Sequence, residues 1–292
     1  MLSPFYFFKK LIYIIKHKSY IMNENIEQQV TRGMGINSQS AQKSFPFATE
    51  LITLPSKGLG YPESSPLSKG EITIKLLTAK EEDILTSTTL IRKGATLDRL
   101  LESIVVEPGV NPSDLLIGDK NAILVATRVL AYGPVYKVTI TDPDEREPVE
   151  VDVDMAKLST KEIDETKLNR NNEYDFLLPK SNTPIKFKLL THGDELAINK
   201  DIEASEKTLK QSNEVTTRWR RIIIEVNGNR DLGYISNFVA NQFQIQDSRA
   251  LRKYIGEITP DVDFNFEYTS PFTGEKEALR VPISADFFYP TE

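Results

Sequence analysis

Ile72, Ile74 and Leu76 alternate with polar residues, and within a few positions the alternation gives way to helical spacing. A period of two is that of a half-buried strand. Thr78 then stands as an N-cap, with Glu81 three residues on, the spacing of a capping box. Glu81, Glu82 and Asp83 fall in the first turn of the predicted helix, where the dipole favours acids. Before this unit, ELITLPSKGLGYP alternates and then turns at Gly58 and Gly60, which predicts a strand entering a loop. After it, Leu97, Leu100, Leu101 and Ile104 share one helical face, and Pro108-Gly109 ends that helix. Asp119 is the expected cap of a helix over Lys120–Ala131, stopped by Gly133-Pro134. Tyr136, Val138 and Ile140, the turn DPDEREP, and Val149, Val151 and Val153 predict a β-hairpin with one apolar face.

The same order of elements returns. Ile117, Asp119, Ala122 and Pro143 find Ile245, Asp247, Ala250 and Pro271 at a constant offset of 128 residues. Leu54-Pro55 has its counterpart in Leu178-Pro179, and ITIKLLT at 72–78 in IKFKLLT at 185–191. The offset there is 113, so the second unit carries about 15 more residues, which Asn199–Ser212 supplies as a solvated helical extension. The predicted architecture is therefore α+β, with two homologous domains from an internal duplication. Each has strands, two or three helices and a C-terminal hairpin. The first repeat spans 47–156, a charged linker 157–173, and the second repeat 174–292.

Residues 1–46 stand apart from this pattern. The polar stretch 22–46 reads as a flexible arm. Residues 1–21 are rich in Phe, Tyr, Ile and Lys and contain no acid, and Lys9 and Lys10 split their apolar residues into runs too short to span a membrane. Met22 is the expected start of translation, with a membrane-surface helix or an ordered N-terminal arm over residues 1–21 as the alternatives. In the second repeat, Val215, Trp219, Ile222, Ile223 and Val226 fit a helical face flanked by Arg218, Arg220 and Arg221. A buried tryptophan among solvated arginines is the expectation, because the surrounding segment is not basic. The end, ADFFYP, is apolar, and Phe287, Phe288, Tyr289 and Pro290 are the candidate interaction residues, expected to dock on the second domain or on a partner.

Composition narrows the chemistry. The chain has 292 residues and a net charge of −6, which argues against a general nucleic-acid binder. It has no cysteine and only two histidines, His17 and His192, so thiolate and multi-histidine metal centres are excluded. Phosphate-loop, GxSxG and HExxH motifs are absent. His192 lies at a strand-to-helix junction and is expected to cap or to face solvent. No cofactor is expected.

LPSKGLGYP, ITIKLLTAKEEDIL, LIRKGATLDRLLESI and DLLIGDKNAILVATRVLAYGPVYKVTITDP follow one another in an order that resembles the baseplate proteins of T4-like contractile-tailed phages, more narrowly the small baseplate hub subunit family. IEVNGNRDLGYISNFV, DSRALRKYI and the terminal DFFYP extend the likeness more loosely. The resemblance implies a non-enzymatic structural component of the baseplate hub in the virion, assembled in the host cytoplasm. Its partners would be other baseplate or tail proteins and further copies of itself, with no nucleic acid and no membrane span. An assembly chaperone that leaves the finished particle fits the same features. An enzyme on an unfamiliar α+β fold predicts a pocket with clustered titratable groups. A nucleic-acid binder acting through Arg218, Arg220 and Arg221 predicts steep salt dependence.

Relatives of this kind often carry a Cys-Pro-x-Cys knuckle in the hairpin turn. Here the ligand positions are Asp142 and Glu145 in the first turn, and Ser270 and Thr273 in the second. Structural zinc is held by thiolates or imidazoles. Both turns are therefore expected to stand on hydrogen bonds and packing, with no metal.

Overall fold

The computed structural model describes residues 47–209, 213–281, 283 and 285–288. Residues 1–21 and the arm at 22–46 lie outside them. The chain is mixed α and β, built from eight α-helices and small antiparallel sheets among the described residues. Strand β1 (Thr49–Thr53) pairs with β2 (Glu71–Lys75). Ile72 and Ile74 of β2 point inward and are fully buried, as the alternation predicts. Helices α1 (Ala79–Thr86), α2 (Thr88–Arg92) and α3 (Thr96–Ile104) follow, and α3 buries Leu100, Leu101 and Ile104 on one face. Helix α4 (Ile117–Tyr132) leads to the hairpin of β3 (Val135–Thr141) and β4 (Pro148–Asp154). Two 3-10 turns, Met155–Lys157 and Glu165–Lys167, flank the short strand β5 (Ser159–Thr160).

Strands β6 (Tyr174–Leu177), β7 (Pro184–Phe187) and β8 (Ile223–Val226) form an antiparallel sheet with β7 central. Helices α5 (His192–Leu209) and α6 (Glu214–Ile222) intervene between β7 and β8. The segment 215–226, expected as one helix, is helix only to Ile222. Ile222, Ile223 and Ile224 are β-branched and stiff at χ1, which favours a pleated surface. Ile223 faces Phe187 and Val226 faces Ile185 across β7. Helices α7 (Leu232–Asn241) and α8 (Ile245–Ile258) precede a short strand β9 (Val262–Asp263) and the hairpin of β10 (Asn265–Thr269) and β11 (Lys276–Arg280). A 3-10 turn, Ala285–Phe288, closes the described chain.

Two compact units arise from these elements. One contains residues 128–160 and 263 onward, together with Phe47–Thr49; the other contains 50–127 and 161–262. Each unit thus draws on both halves of the sequence. The larger unit has its core in Ile72, Ile74, Leu100, Ile104, Leu115, Ile123, Phe187 and Ile198. The smaller is centred on Tyr136, Val138, Val153, Met155, Phe264, Tyr268, Phe287 and Phe288.

Buried carboxylates organise the larger unit, and they come in matched positions. Glu81 accepts hydrogen bonds from Lys75 Nζ (2.7 Å), Thr78 N (3.0 Å) and Thr78 Oγ1 (2.6 Å). Asp194, at the equivalent place after β7, accepts from Lys188 Nζ (2.7 Å), Thr191 N (3.1 Å) and Thr191 Oγ1 (3.2 Å). Burial works to raise the Glu81 pKa, but the hydrogen bonds from Lys75, Thr78 and Ser103 outweigh it and hold the carboxyl at about 2. Asp119 is the third residue of α4 rather than its cap. Its carboxylate reaches away from the helix to accept from Ser56 N (2.9 Å), Ser56 Oγ (2.7 Å) and Tyr61 Oη (2.6 Å). Asp247, third in α8, likewise accepts from Lys180 N (2.7 Å) and Ser181 N (3.2 Å). In both cases a helix start is tied to the loop that follows a Leu-Pro pair.

Gly118 marks a close approach beside Asp119. A Cβ there would lie 1.9 Å from Pro260 O and 2.7 Å from Asp261 Cα, both backbone atoms that cannot swing aside. Gly118→Ala should therefore destabilise the protein by about 3 kcal/mol, at the upper end for overpacking. A denaturant melt showing less than about 1 kcal/mol of change would contradict this packing.

Candidate functional site

The two hairpin turns, the sequence's candidate metal positions, lie in the smaller unit. Their backbones follow the same course. In the first, Asp142 N donates to Glu147 O (2.8 Å) and Arg146 N to Asp142 O (3.0 Å). In the second, Ser270 N donates to Glu275 O (2.9 Å) and Gly274 N to Ser270 O (2.9 Å). Arg146 and Gly274 both take positive φ, 59° and 75°. Glycine adopts that conformation freely and arginine only with strain.

Within each turn the first side chain collects backbone donors. Asp142 Oδ1 accepts from Asp144 N (2.9 Å) and Glu145 N (3.0 Å). Ser270 Oγ accepts from Phe272 N and Thr273 N, each at 3.3 Å. The turns are also joined to each other. Tyr268 Oη donates to Asp142 Oδ2 (2.7 Å), and Thr273 Oγ1 donates to Asp144 Oδ2 (2.7 Å). Asp142, Tyr268 and Ser270 are buried, whereas Glu145 and Thr273 are exposed. The Glu145 N–H is the largest influence on the Asp142 carboxyl; with the Tyr268 hydroxyl it holds the pKa at about 2 against burial. Burial and the Asp142 carboxylate push the Tyr268 phenol up to about 12.

These residues do not fit a structural zinc ion. Both Asp142 oxygens are engaged, and Ser270 and Thr273 offer neutral hydroxyls where zinc takes thiolate or imidazole. Among the described residues no three His, Asp or Glu side chains are grouped to hold a metal.

The C-terminal candidates divide. Phe287 and Phe288 are buried against the chain's own smaller unit. The Phe287 ring meets Tyr136 edge-on at 5.1 Å and Phe288 at 5.3 Å. Their rings are therefore core, not free surface. Tyr289 and Pro290 lie outside the described residues. A residue that the sequence did not flag holds this anchor. Arg128, near the end of α4, is buried, and it donates to Phe287 O (2.9 Å), Gly133 O (3.1 Å) and Val135 O (3.3 Å). Its guanidinium also lies over the rings of Tyr132 (4.9 Å) and Tyr136 (5.8 Å). Exposed apolar residues in this unit include Val135 and, at the second hairpin tip, Phe272 (55% exposed). The outer face of the first hairpin carries Glu150, Asp152 and Asp154 opposite Thr139, Lys137 and Val135.

The remaining candidates lie in the larger unit. Trp219 is buried, edge-on to Phe243 at 5.2 Å. Arg218 pairs with Glu214 (3.3 Å) and Arg221 with Asp201 (3.5 Å), so two of the three arginines are met by acids. His192 departs from expectation. It begins α5 but is buried rather than solvent-facing; Leu115 O accepts from its backbone N–H (2.7 Å). Its Nε2 is 3.6 Å from Asp98 Oδ1 and its Nδ1 has no hydrogen-bond partner among the described residues. Burial first, then the Lys120 ammonium, lower its pKa, against the pull of Asp98 and Glu195. A histidine depressed in the fold leaves the unfolded chain to bind the proton first, so its contribution is full above about pH 6.5 and is lost as pH falls below it. The natural protein should lose stability between pH 7 and 5 relative to His192→Gln. Parallel melting curves for the two across that range would refute this.

Comparison with known proteins turns on the whole run of elements rather than on any one side chain. The family model for the T4 bacteriophage base plate protein matches residues 60–289. The chain belongs to this baseplate family. That match takes in both hairpin turns, the buried carboxylates and the Arg128 anchor. No curated protein and no solved structure matches the chain. The family points to the phage tail baseplate and to other tail proteins as partners. Among the described residues no helix is long and apolar enough to cross a membrane.

Proposed function

We propose that this baseplate protein is a structural component of the tail hub, acting through protein–protein interfaces and without catalysis. The family match over residues 60–289 carries the reading. The state of its acids supports it. Glu81, Asp119, Asp142, Asp194 and Asp247 are all engaged by donors from their own chain, so these five carboxylates are spent on fold rather than on substrate. Partners are other baseplate proteins and further copies of the chain. A stable contact of this kind needs about 1,000 Å² or more of buried surface. The two hairpins are the surfaces offered, and Tyr289 and Pro290 remain the candidate contact residues of the C-terminal segment. Duplication of an ancestral unit belongs to the same reading. It is supported by the paired bonding of Glu81 with Asp194, of Asp119 with Asp247, and by the matching hairpin turns.

Mass spectrometry of purified particles tests the assignment. Stoichiometric presence in the tail supports a virion subunit, and crosslinks to central tail proteins place it in the hub. Absence from particles, with abundance in infected-cell lysate, replaces the subunit reading by that of an assembly chaperone. The most N-terminal peptide recovered also reports whether translation begins at Met22.

A further inference from the structure

One junction in the larger unit joins unlike pieces of the two repeats read in the sequence. Leu116 and Thr191 form an antiparallel bridge. Ile117 N donates to Leu190 O (3.2 Å), and His192 N donates to Leu115 O (2.7 Å). The segment that opens α4 thus lies along the segment that opens α5. Each segment has a counterpart at its own repeat offset. Leu115–Ile117 corresponds to Phe243–Ile245, which opens α8, and Leu190–His192 corresponds to Leu77–Ala79, which opens α1. The local bonding is kept at both counterparts. Asp247 ties the start of α8 to a loop as Asp119 ties that of α4, and Glu81 accepts from Thr78 as Asp194 accepts from Thr191.

The counterparts do not meet within the chain. Thr78 and Ala79 are exposed, where Thr191 is half-buried and His192 buried. Gln244 is exposed and Ile245 is 77% exposed, where Leu116 is buried and Ile117 half-buried. The Leu77 and Phe243 carbonyls and the Ala79 and Ile245 N–H groups have no hydrogen-bond partner among the described residues, although each corresponds to a group that the junction pairs. Two complementary surfaces are thus present twice, and only one pair of them is used. Unpaired backbone groups in an extended segment are a template for pairing with another chain.

We infer that the unused pair joins copies of this chain head to tail. Phe243–Ile245 of one copy lies antiparallel to Leu77–Ala79 of the next, with the Ile245 N–H donating to the Leu77 carbonyl and the Ala79 N–H to the Phe243 carbonyl. Such a contact is heterologous, so it runs on from copy to copy into a closed ring or a filament. Two counterparts set its strength. Gly193, where a Cβ would stand 3.0 Å from Ser113 O, has Lys80 in its place, and Gly118 has Gln246. Copies therefore meet less closely than the two halves of one chain, and their association is reversible. The inference rests on the duplication and the self-association proposed above, not on where in the phage the protein acts.

Sedimentation velocity of the full chain between about 1 and 100 µM should show dimers and longer assemblies that grow with concentration. Ala79→Pro and Ile245→Pro each delete one donor at the first position of a helix, where proline is tolerated. The residues before them, Thr78 and Gln244, are already extended (ψ 177° and 151°), as proline requires. Each variant should keep the natural melting temperature and weaken self-association at least about 10-fold. Ile245→Asp alters the same face without touching the backbone and should weaken it alike. Mixed in equal amounts, the two proline variants should form a one-to-one pair and stop there, because Ala79→Pro retains an intact 243–245 segment and Ile245→Pro an intact 77–79 segment. A chain that stays monomeric over the whole range, association that both prolines and Ile245→Asp leave unchanged, or proline variants that fail to pair in the mixture would each overturn the junction. None of these outcomes alters the hub assignment, which particle composition decides.

Discussion

Asp119→Ala should lower the unfolding free energy by about 4 kcal/mol, whereas Asp119→Asn should lower it by about 1 kcal/mol. The carboxylate is fully buried and takes three donors from the loop that follows Leu54-Pro55. Alanine leaves the Ser56 N–H and the hydroxyls of Ser56 and Tyr61 buried without that acceptor, at roughly 1–3 kcal/mol each before relaxation. Tyr61 Oη is itself accepting from Leu116 N (2.8 Å), so the loss reaches the start of α4. Asparagine keeps one acceptor, and its amide can donate to either hydroxyl, which accepts as readily as it donates. The two substitutions differ further with pH. Burial, the largest influence, pushes the Asp119 carboxyl up to about 6 despite its donors. A carboxyl raised in the fold contributes stability that is full below about pH 4 and is lost as pH rises through about 6. The natural protein should therefore lose stability relative to Asp119→Asn as pH goes from 5 to 7. Chemical denaturation of the three proteins at both pH values checks this. Equal losses for Ala and Asn would show that the three donors do not depend on this acceptor.

The sequence made this tether half visible. Asp119 and Asp247 stand out at their constant offset, and a carboxylate in a first helical turn reads naturally as a cap. Its true partners, Ser56 and Tyr61, lie 63 and 58 residues earlier, and nothing in the local pattern points to them. The hairpins were legible for the opposite reason. Alternation of Tyr136, Val138 and Ile140 with polar residues is a local signal, and the observed register places those three side chains opposite Val153, Val151 and Val149. Segment 215–226 misled because its apolar spacing fits a helical face, while the β-branched run Ile222–Ile224 decides the last turn in favour of β8. His192 misled because a lone polar residue at a helix start is ordinarily solvated. Its burial, beside Asp98 of α3 and the Leu115 carbonyl, is tertiary. At the turns the positions were readable from the prolines at 143 and 271, but the bonds from Tyr268 and Thr273 depend on two hairpins meeting 126 and 129 residues apart. Similarly, the apolarity of Phe287 and Phe288 was plain, while their burial against Tyr136 needed the fold.

Arg128→Ala is expected to cost about 3 kcal/mol and to release the C-terminal segment. Three backbone carbonyls, of Gly133, Val135 and Phe287, receive its guanidinium. Hydrogen bonds from a charged donor are each worth about 1.5–3 kcal/mol, and part of that returns because the cation no longer has to be desolvated. Burial indeed lowers the Arg128 pKa, with Tyr132 and Tyr136 acting the other way. The planar fork is what spans carbonyls on either side of the α4–β3 junction and on the C-terminal turn, so Arg128→Lys should recover less than half of the loss. With Phe287 O freed, the turn at Ala285–Phe288 loses its polar fastening, and Phe287 and Phe288 are held by packing alone. Limited proteolysis should then cut between Arg280 and Phe288 in the Ala variant under conditions where that stretch of the natural chain is not cut. An Ala variant that melts within about 0.5 kcal/mol of the natural protein and keeps its C-terminus protected would mean that ring packing, not the guanidinium, fastens the segment. The distinction bears on assembly. If the arginine is the fastener, the Ala variant should enter tails less efficiently even where it remains folded.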